Sequence, residues 1–142
     1  MSRIYWDTML FIYWLEDNPQ FSKRVNAIWS RMQERNDQLI TGALALGEVL
    51  AGAYKYGAER ERIQDVRTAF ESAVSAVIPF TVETANLFGQ IKSSLKIPPA
   101  DAIHLACAAQ AEADLFLTND NRLVGKFVPG IQFIASLDTP LL

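Results

Sequence analysis

The sequence predicts an α/β protein, a parallel sheet with helices packed on both faces. Short apolar, β-prone runs recur along the chain, among them Ile4-Tyr5-Trp6 and Leu115-Phe116-Leu117-Thr118. Longer stretches with helical spacing of apolar residues lie between them. Regular alternation of the two is the pattern of strand–helix–strand crossovers, which are right-handed in parallel sheets. At 142 residues the chain is expected to be one domain, 1–142, with no repeat, linker or low-complexity segment. A domain of that size buries roughly two-thirds of its unfolded surface.

Ile4-Tyr5-Trp6 is the first strand and ends at Asp7, with Thr8 placed to cap a helix beginning Met9-Leu10-Phe11. Trp6, Phe11, Tyr13 and Trp14 concentrate aromatic surface here; core packing is their expected use, a subunit contact the second. Asn18-Pro19 breaks the chain. Ser22 to Arg35 is an amphipathic helix, with Val25, Ile28, Trp29 and Met32 inward and Lys23, Arg24, Arg31 and Arg35 outward. Gln38 to Thr41 is the second strand. Ala43 to Tyr54 follows as an apolar helix in which Glu48 is the only ionisable residue. Ala58 to Ala73 is a charged amphipathic helix, and Val77-Ile78-Pro79-Phe80 a third strand with its proline near the end.

Thr81-Val82-Glu83-Thr84 starts a helix that runs to about Leu95. Pro98-Pro99 opens the next one, because a fixed φ suits a first helical turn where the missing N–H is not needed. Its Ala-rich body carries to near Ala113. Leu115 to Thr118 is then a fully buried strand, and Ile131-Gln132-Phe133-Ile134 supplies the fifth.

Composition bounds the function. A net charge of −3 gives no global attraction for nucleic acid, so any such binding needs a local basic patch. Cys107 is the only cysteine, which excludes an internal disulfide; a reducing, cytoplasmic setting with Cys107 as a small core residue is expected. Met9 to Leu15 is far too short to span a membrane, and Asp7 with no small-residue cleavage site after it argues against a signal peptide.

Four acids stand in unusual places: Asp7 at a strand's carboxyl end, Glu48 in an apolar helix, Asp101 in a first helical turn and Asp120 after a buried strand. Singly, each has a plain explanation. Asp7 can be a helix-entry residue, Asp101 can complement a helix dipole, and Asp120 within Thr-Asn-Asp-Asn can be a turn residue. Glu48 is hardest to explain this way, since a carboxylate on an apolar helix is costly unless something cationic meets it. Together they suggest an oxygen-ligand site for Mg²⁺ or Mn²⁺ acting on a phosphodiester. A zinc site is excluded because His104 and Cys107 are each the only residue of their kind.

Asp7-Thr8 after a strand, Gly47-Glu48-Val49, Ala100-Asp101-Ala102-Ile103 and Leu117-Thr118-Asn119-Asp120 together resemble the acidic motifs of the PIN domain. The nearest match is the VapC-type ribonuclease toxin of toxin–antitoxin pairs. The resemblance covers essentially the whole chain, without an added module such as a zinc ribbon. It implies a three-layer α/β/α fold with a five-stranded parallel sheet in order 3-2-1-4-5. It carries over Asp7, Glu48, Asp101 and Asp120 as the metal-binding and catalytic set, with Thr118 supporting a carboxylate or water. Asp114, at the opposite end of its strand, is read as structural.

The implied activity is a Mg²⁺- or Mn²⁺-dependent endoribonuclease. Implied partners are an RNA substrate, a cognate antitoxin whose tail covers the acidic groove, and a second copy in a homodimer. Arg122 is the preferred phosphate contact, since it lies two residues from Asp120; Lys23, Arg24, Arg31, Arg35, Lys55, Arg60, Arg62 and Lys126 are further candidates. His104, three residues after Asp101, is expected to be a hydrogen-bonded helix histidine flanking the site. Two rivals remain. A non-cleaving PIN-like module would bind RNA or protein without a reaction. An aspartyl-phosphate phosphatase ranks low, because Met9 stands where that chemistry needs a second acid.

Overall fold

The computed structural model describes residues 1–139. Its elements run β1 (Arg3–Trp6), α1 (Thr8–Leu15), α2 (Ser22–Arg35), β2 (Gln38–Gly42), α3 (Ala43–Lys55) and α4 (Arg60–Ala73). They continue β3 (Ala76–Ile78), α5 (Val82–Ser94), α6 (Pro99–Gln110), β4 (Leu115–Thr118) and β5 (Phe133–Ser136). The five strands form one all-parallel sheet in order β3-β2-β1-β4-β5. This is the α/β/α architecture read from the sequence, with the strand order that the resemblance to PIN domains implies.

Alternate side chains of a strand point to opposite faces, and that rule builds two cores. Ile4, Trp6, Leu39, Leu115 and Leu117 face a layer of Leu10, Phe11, Val25, Met32, Val49, Val66 and Phe70 from α1 to α4. On the other face Tyr5, Ile40, Phe116 and Ile134 meet Ile91 of α5 and Ala102, Leu105, Ala106 and Ala109 of α6. The small residues of α6 let it lie close to the sheet, so it is buried on nearly every side. Trp6, Trp14 and Trp29 meet as one aromatic group, with ring centroids 5.3 to 6.1 Å apart. Phe11 and Tyr13 are likewise buried, so this aromatic surface is core rather than a contact face. Among the described residues Trp6 Nε1 is the one buried side-chain polar atom without a hydrogen-bond partner.

Three differences from the sequence expectation have physical causes. Asp7, not Thr8, caps α1: its carboxylate accepts from the Thr8 backbone N–H at 2.8 Å, which frees the Thr8 hydroxyl for another use. β3 covers Ala76–Ile78 and leaves Pro79 and Phe80 outside. Ile78 pairs with Gly42, where β2 gives way to α3, so nothing remains for Phe80 to pair with. β5 begins two residues late, at Phe133. Ile131 is instead a buried turn residue whose N–H donates to Val128. The turn depends on Gly130, at φ +99°, where a Cβ would sit 2.9 Å from the Ala109 carbonyl oxygen. Helix ends move by one to three residues; α6 stops at Gln110 and the chain turns at Glu112, φ 53°.

Gly42 is required by close approach rather than by its backbone angles. A Cβ there would stand 2.9 Å from the Tyr5 hydroxyl and 3.1 Å from Cys107 Sγ. Gly42→Ala should therefore cost about 1–3 kcal/mol, the usual range for overpacking, read as a lower urea midpoint at unchanged slope. Burial pushes the Cys107 thiol up to about 11, so at pH 8 only about a thousandth of it is thiolate. Native protein should react very slowly with a thiol reagent at that pH, and completely once unfolded in guanidinium.

Candidate active site

The chain runs from β1 to one side of the sheet and returns to the other side through β4, so the strand order switches direction between them. Ligand crevices of open α/β sheets lie at that point, beyond the strands' carboxyl ends. Asp7 follows β1 there and Asp120 lies just past β4; the Asp7 N–H donates to the Leu117 carbonyl at 3.0 Å, holding the two ends together. Glu48 reaches the same place from the second turn of α3, and Asp101 from the first turn of α6. All four acids line one cavity of about 510 Å³, with Thr8, Tyr13, His104, Asn119 and Asn121.

Each acid has a distinct environment. Asp7 is buried, 8% exposed; Oδ1 accepts from the Thr8 N–H and Oδ2 from the Thr118 hydroxyl at 2.8 Å. Thr118 Oγ1 also accepts from the Asp120 N–H at 3.0 Å, so one side chain ties two acids to the end of β4. Glu48 Oε1 accepts from the Thr8 hydroxyl at 2.6 Å and lies 2.8 Å from His104 Nε2. The hydrogen bond with His104 holds its carboxyl below the usual range against the opposing effect of burial. Asp120 is forked by Arg122, with Nη2 at 2.6 Å from Oδ2 and Nε at 2.9 Å from Oδ1, and that pairing lowers its carboxyl too.

Asp101 is the exception. Burial, then the charges of Asp7 and Asp120, raise its carboxyl above the ordinary range, and Arg122, 4.0 Å away, offsets this only in part. Negative charge is thus incompletely compensated in a cavity whose donors are all oxygen or a single imidazole, which fits a hard divalent cation rather than zinc. Among the described residues no three His, Cys, Asp or Glu side chains already stand close enough to enclose a metal ion. Arg122 draws Asp120 aside, while Thr8 and His104 hold Glu48.

Arg122 therefore meets a carboxylate rather than standing free for a phosphate, although its side chain is 72% exposed. Asp114 accepts from the Arg3 N–H at the opposite edge, a structural bond as its position indicated. His104 is buried with both ring nitrogens in contact, as a helix histidine flanking the site should be. Not foreseen were the roles of Tyr5, whose hydroxyl lies 2.7 Å from His104 Nδ1, and of Thr8 as a partner of Glu48. The period-two position of Tyr5 before Asp7 and the three-residue step from Asp101 to His104 were the only local signals.

Comparison with known proteins places this arrangement. The family model described as PIN domain matches residues 4–125. No curated protein matches the chain in sequence. Among solved structures, a chain of VapBC2 from Rickettsia felis, bound to a DNA fragment from its promoter, superposes with a TM-score of 0.74 at 17% identity. That match covers 94% of this chain and 98% of the other. A toxin–antitoxin complex from Klebsiella pneumoniae gives 0.65 at 20% identity, over 90% and 94% of the two chains. VapBC-5 from Mycobacterium tuberculosis gives 0.57 at 17%, over 94% and 98%. At such identities the likeness is one of fold.

The raised Asp101 carboxyl has a sign that can be measured. Protonated Asp101 favours the folded chain, so its contribution is lost as pH rises through that raised value. In metal-free buffer Asp101→Asn should melt higher than the parent at about pH 7, with the difference shrinking toward about pH 5. Thermal denaturation across that interval checks it; an Asn variant that melts lower throughout contradicts it.

Proposed function

The chain belongs to the PIN-domain family, and from that premise we propose that it is a Mg²⁺- or Mn²⁺-dependent endoribonuclease, the toxin of a toxin–antitoxin pair. The observation that carries the proposal is the convergence of Asp7, Glu48, Asp101 and Asp120, from separate parts of the chain, on one cavity. Metal-dependent phosphodiester hydrolysis uses carboxylates arranged around a cation, and the lining of this cavity supplies four of them. Asp7, Glu48, Asp101 and Asp120 would hold the ion. When bound, it lowers the pKa of a coordinated water and offsets charge developing on the scissile phosphate.

The protein's own groups do the positioning. Thr118 fixes one oxygen of Asp7 and leaves the carboxylate directed at the cavity. Asn119 donates to the Tyr13 hydroxyl at 2.8 Å, which steadies the loop that carries Asp120. Arg122, paired with Asp120, would pass to a substrate phosphate, exchanging one anion for another. RNA would enter across this open rim rather than by long-range attraction, given the chain's net charge of −3.

The toxin role is proposed from the likeness to the toxin–antitoxin complexes, with a protein antitoxin as the expected partner; a homodimer and a cytoplasmic site of action are proposed with it. No helix among the described residues is long and apolar enough to cross a membrane. The whole of 1–142 is proposed to act as one nuclease domain.

Purified protein should cleave RNA with Mn²⁺ or Mg²⁺ and stop in EDTA, and Asp7→Asn should fall to the EDTA background while keeping the parent's circular dichroism. Parental cleavage by the variant sinks the assignment, and no cleavage of any RNA by the parent favours the non-cleaving module. Arg122→Ala should bind Mn²⁺ roughly two- to fivefold more tightly in titration calorimetry, because a competing exposed cation is removed from Asp120.

A further inference from the structure

We propose that Tyr5 and His104 form a buried clamp that sets the orientation of Glu48 at the cavity, making His104 a positioning residue; this rests on the proposed cation site. His104 is 2% exposed and Tyr5 is fully buried, so neither is held by solvent. The imidazole is fixed at both ends. Nδ1 lies 2.7 Å from the Tyr5 hydroxyl, and Nε2 lies 2.8 Å from Glu48 Oε1 and 3.0 Å from Thr8 Oγ1. A histidine kept only for the fold commonly satisfies itself on backbone groups. Here both nitrogens go to side chains, and one of those is a carboxylate of the cavity wall.

The partners dictate where the protons are. The Gly42 N–H donates to the Tyr5 hydroxyl oxygen at 2.9 Å, which leaves the Tyr5 proton available to meet Nδ1. Thr8 gives its proton to Glu48 Oε1. Two acceptors cannot face each other at 2.8 Å without a proton between them, so Nε2 carries the hydrogen that meets Glu48. A one-way chain results, from the Gly42 N–H through the Tyr5 O–H and the His104 N–H to the carboxylate. Donors aligned in series polarise one another, which strengthens the last link.

The chain is built to hold this arrangement. Tyr5 stacks on Phe116 at 5.1 Å and meets the His104 ring edge-on at 5.9 Å. Its hydroxyl fits only because residue 42 has no Cβ. Both contacts to Glu48 fall on Oε1, and among the described residues Oε2 has no donor, so the clamp leaves that oxygen to the cavity. Outer partners of metal ligands act in this way: they fix a ligand's orientation before the ion arrives.

His104 is the only histidine, so its ring signals in ¹⁵N-labelled protein are unambiguous. Metal-free parent should show the Nε2–H tautomer, with a ring proton that shifts in Glu48→Gln. Tyr5→Phe, checked for folding by amide dispersion, should weaken Mn²⁺ binding about 10- to 100-fold in calorimetry. His104→Gln, which keeps an N–H near Glu48, should retain more affinity than His104→Ala. An Nδ1–H tautomer, or parental Mn²⁺ affinity in folded Tyr5→Phe and His104→Ala, overturns the clamp. Should the parent bind no Mn²⁺, the proposed function fails, while the tautomer and its response to Glu48→Gln still decide the clamp.

Discussion

Carboxylates gathered in one partly buried cavity repel one another, and the surroundings of this site are organised by how that repulsion is met. Asp7 receives a backbone N–H and the Thr118 hydroxyl, Glu48 receives Thr8 and His104, and Asp120 receives the Arg122 fork. Asp101 is left with the unbalanced remainder, visible as a carboxyl held above its usual range. The three satisfied acids are fixed by groups from α1, α6, β4 and the loop beyond it, so the site is as rigid as the junction of those elements. The cost is concentrated on one residue rather than spread over four.

That concentration follows from topology. A parallel sheet in order 3-2-1-4-5 brings the carboxyl ends of β1 and β4 side by side, although Asp7 and Asp120 are far apart in sequence. The Ala-rich packing of α6 then lets its first turn approach the same rim. The two cores divide the labour. One, rich in aromatics, holds β1 and α1 in place behind Asp7; the other encloses Tyr5 and Cys107 and lies next to His104. Small side chains on α6 and the absence of one at Gly42 are what let polar groups pass through an otherwise apolar layer.

The fold was legible because apolar runs are separated by helical stretches as far as β4, and each described element was anticipated, although β4 and β5 are joined without a helix. Register was not: Ile131 looks like strand but is buried in a turn, and only pairing with β4 shows that β5 starts at Phe133. The acids were legible as oddities of context, Glu48 above all, since an apolar helix gives a carboxylate nothing to do. Its partners were hidden because they come from distant positions, Thr8 and His104. Thr8 read as a cap since Ser and Thr so often are, yet Asp7 takes that role with its other oxygen still available to Thr118. Arg122 was legible as a charge two residues from Asp120, but not the fork by which it pairs with that carboxylate.

The meeting of Trp6, Trp14 and Trp29 has an optical consequence. These are the only tryptophans in the chain, and their rings lie within about 6 Å of one another. Excitation of any one passes to the others, so the protein emits as though from a single chromophore. Trp6 immediately precedes Asp7, and Trp14 lies on the helix that Asp7 initiates. The aromatic group is thereby joined through the backbone to a residue of the cavity wall, and the chain carries its own label without a dye.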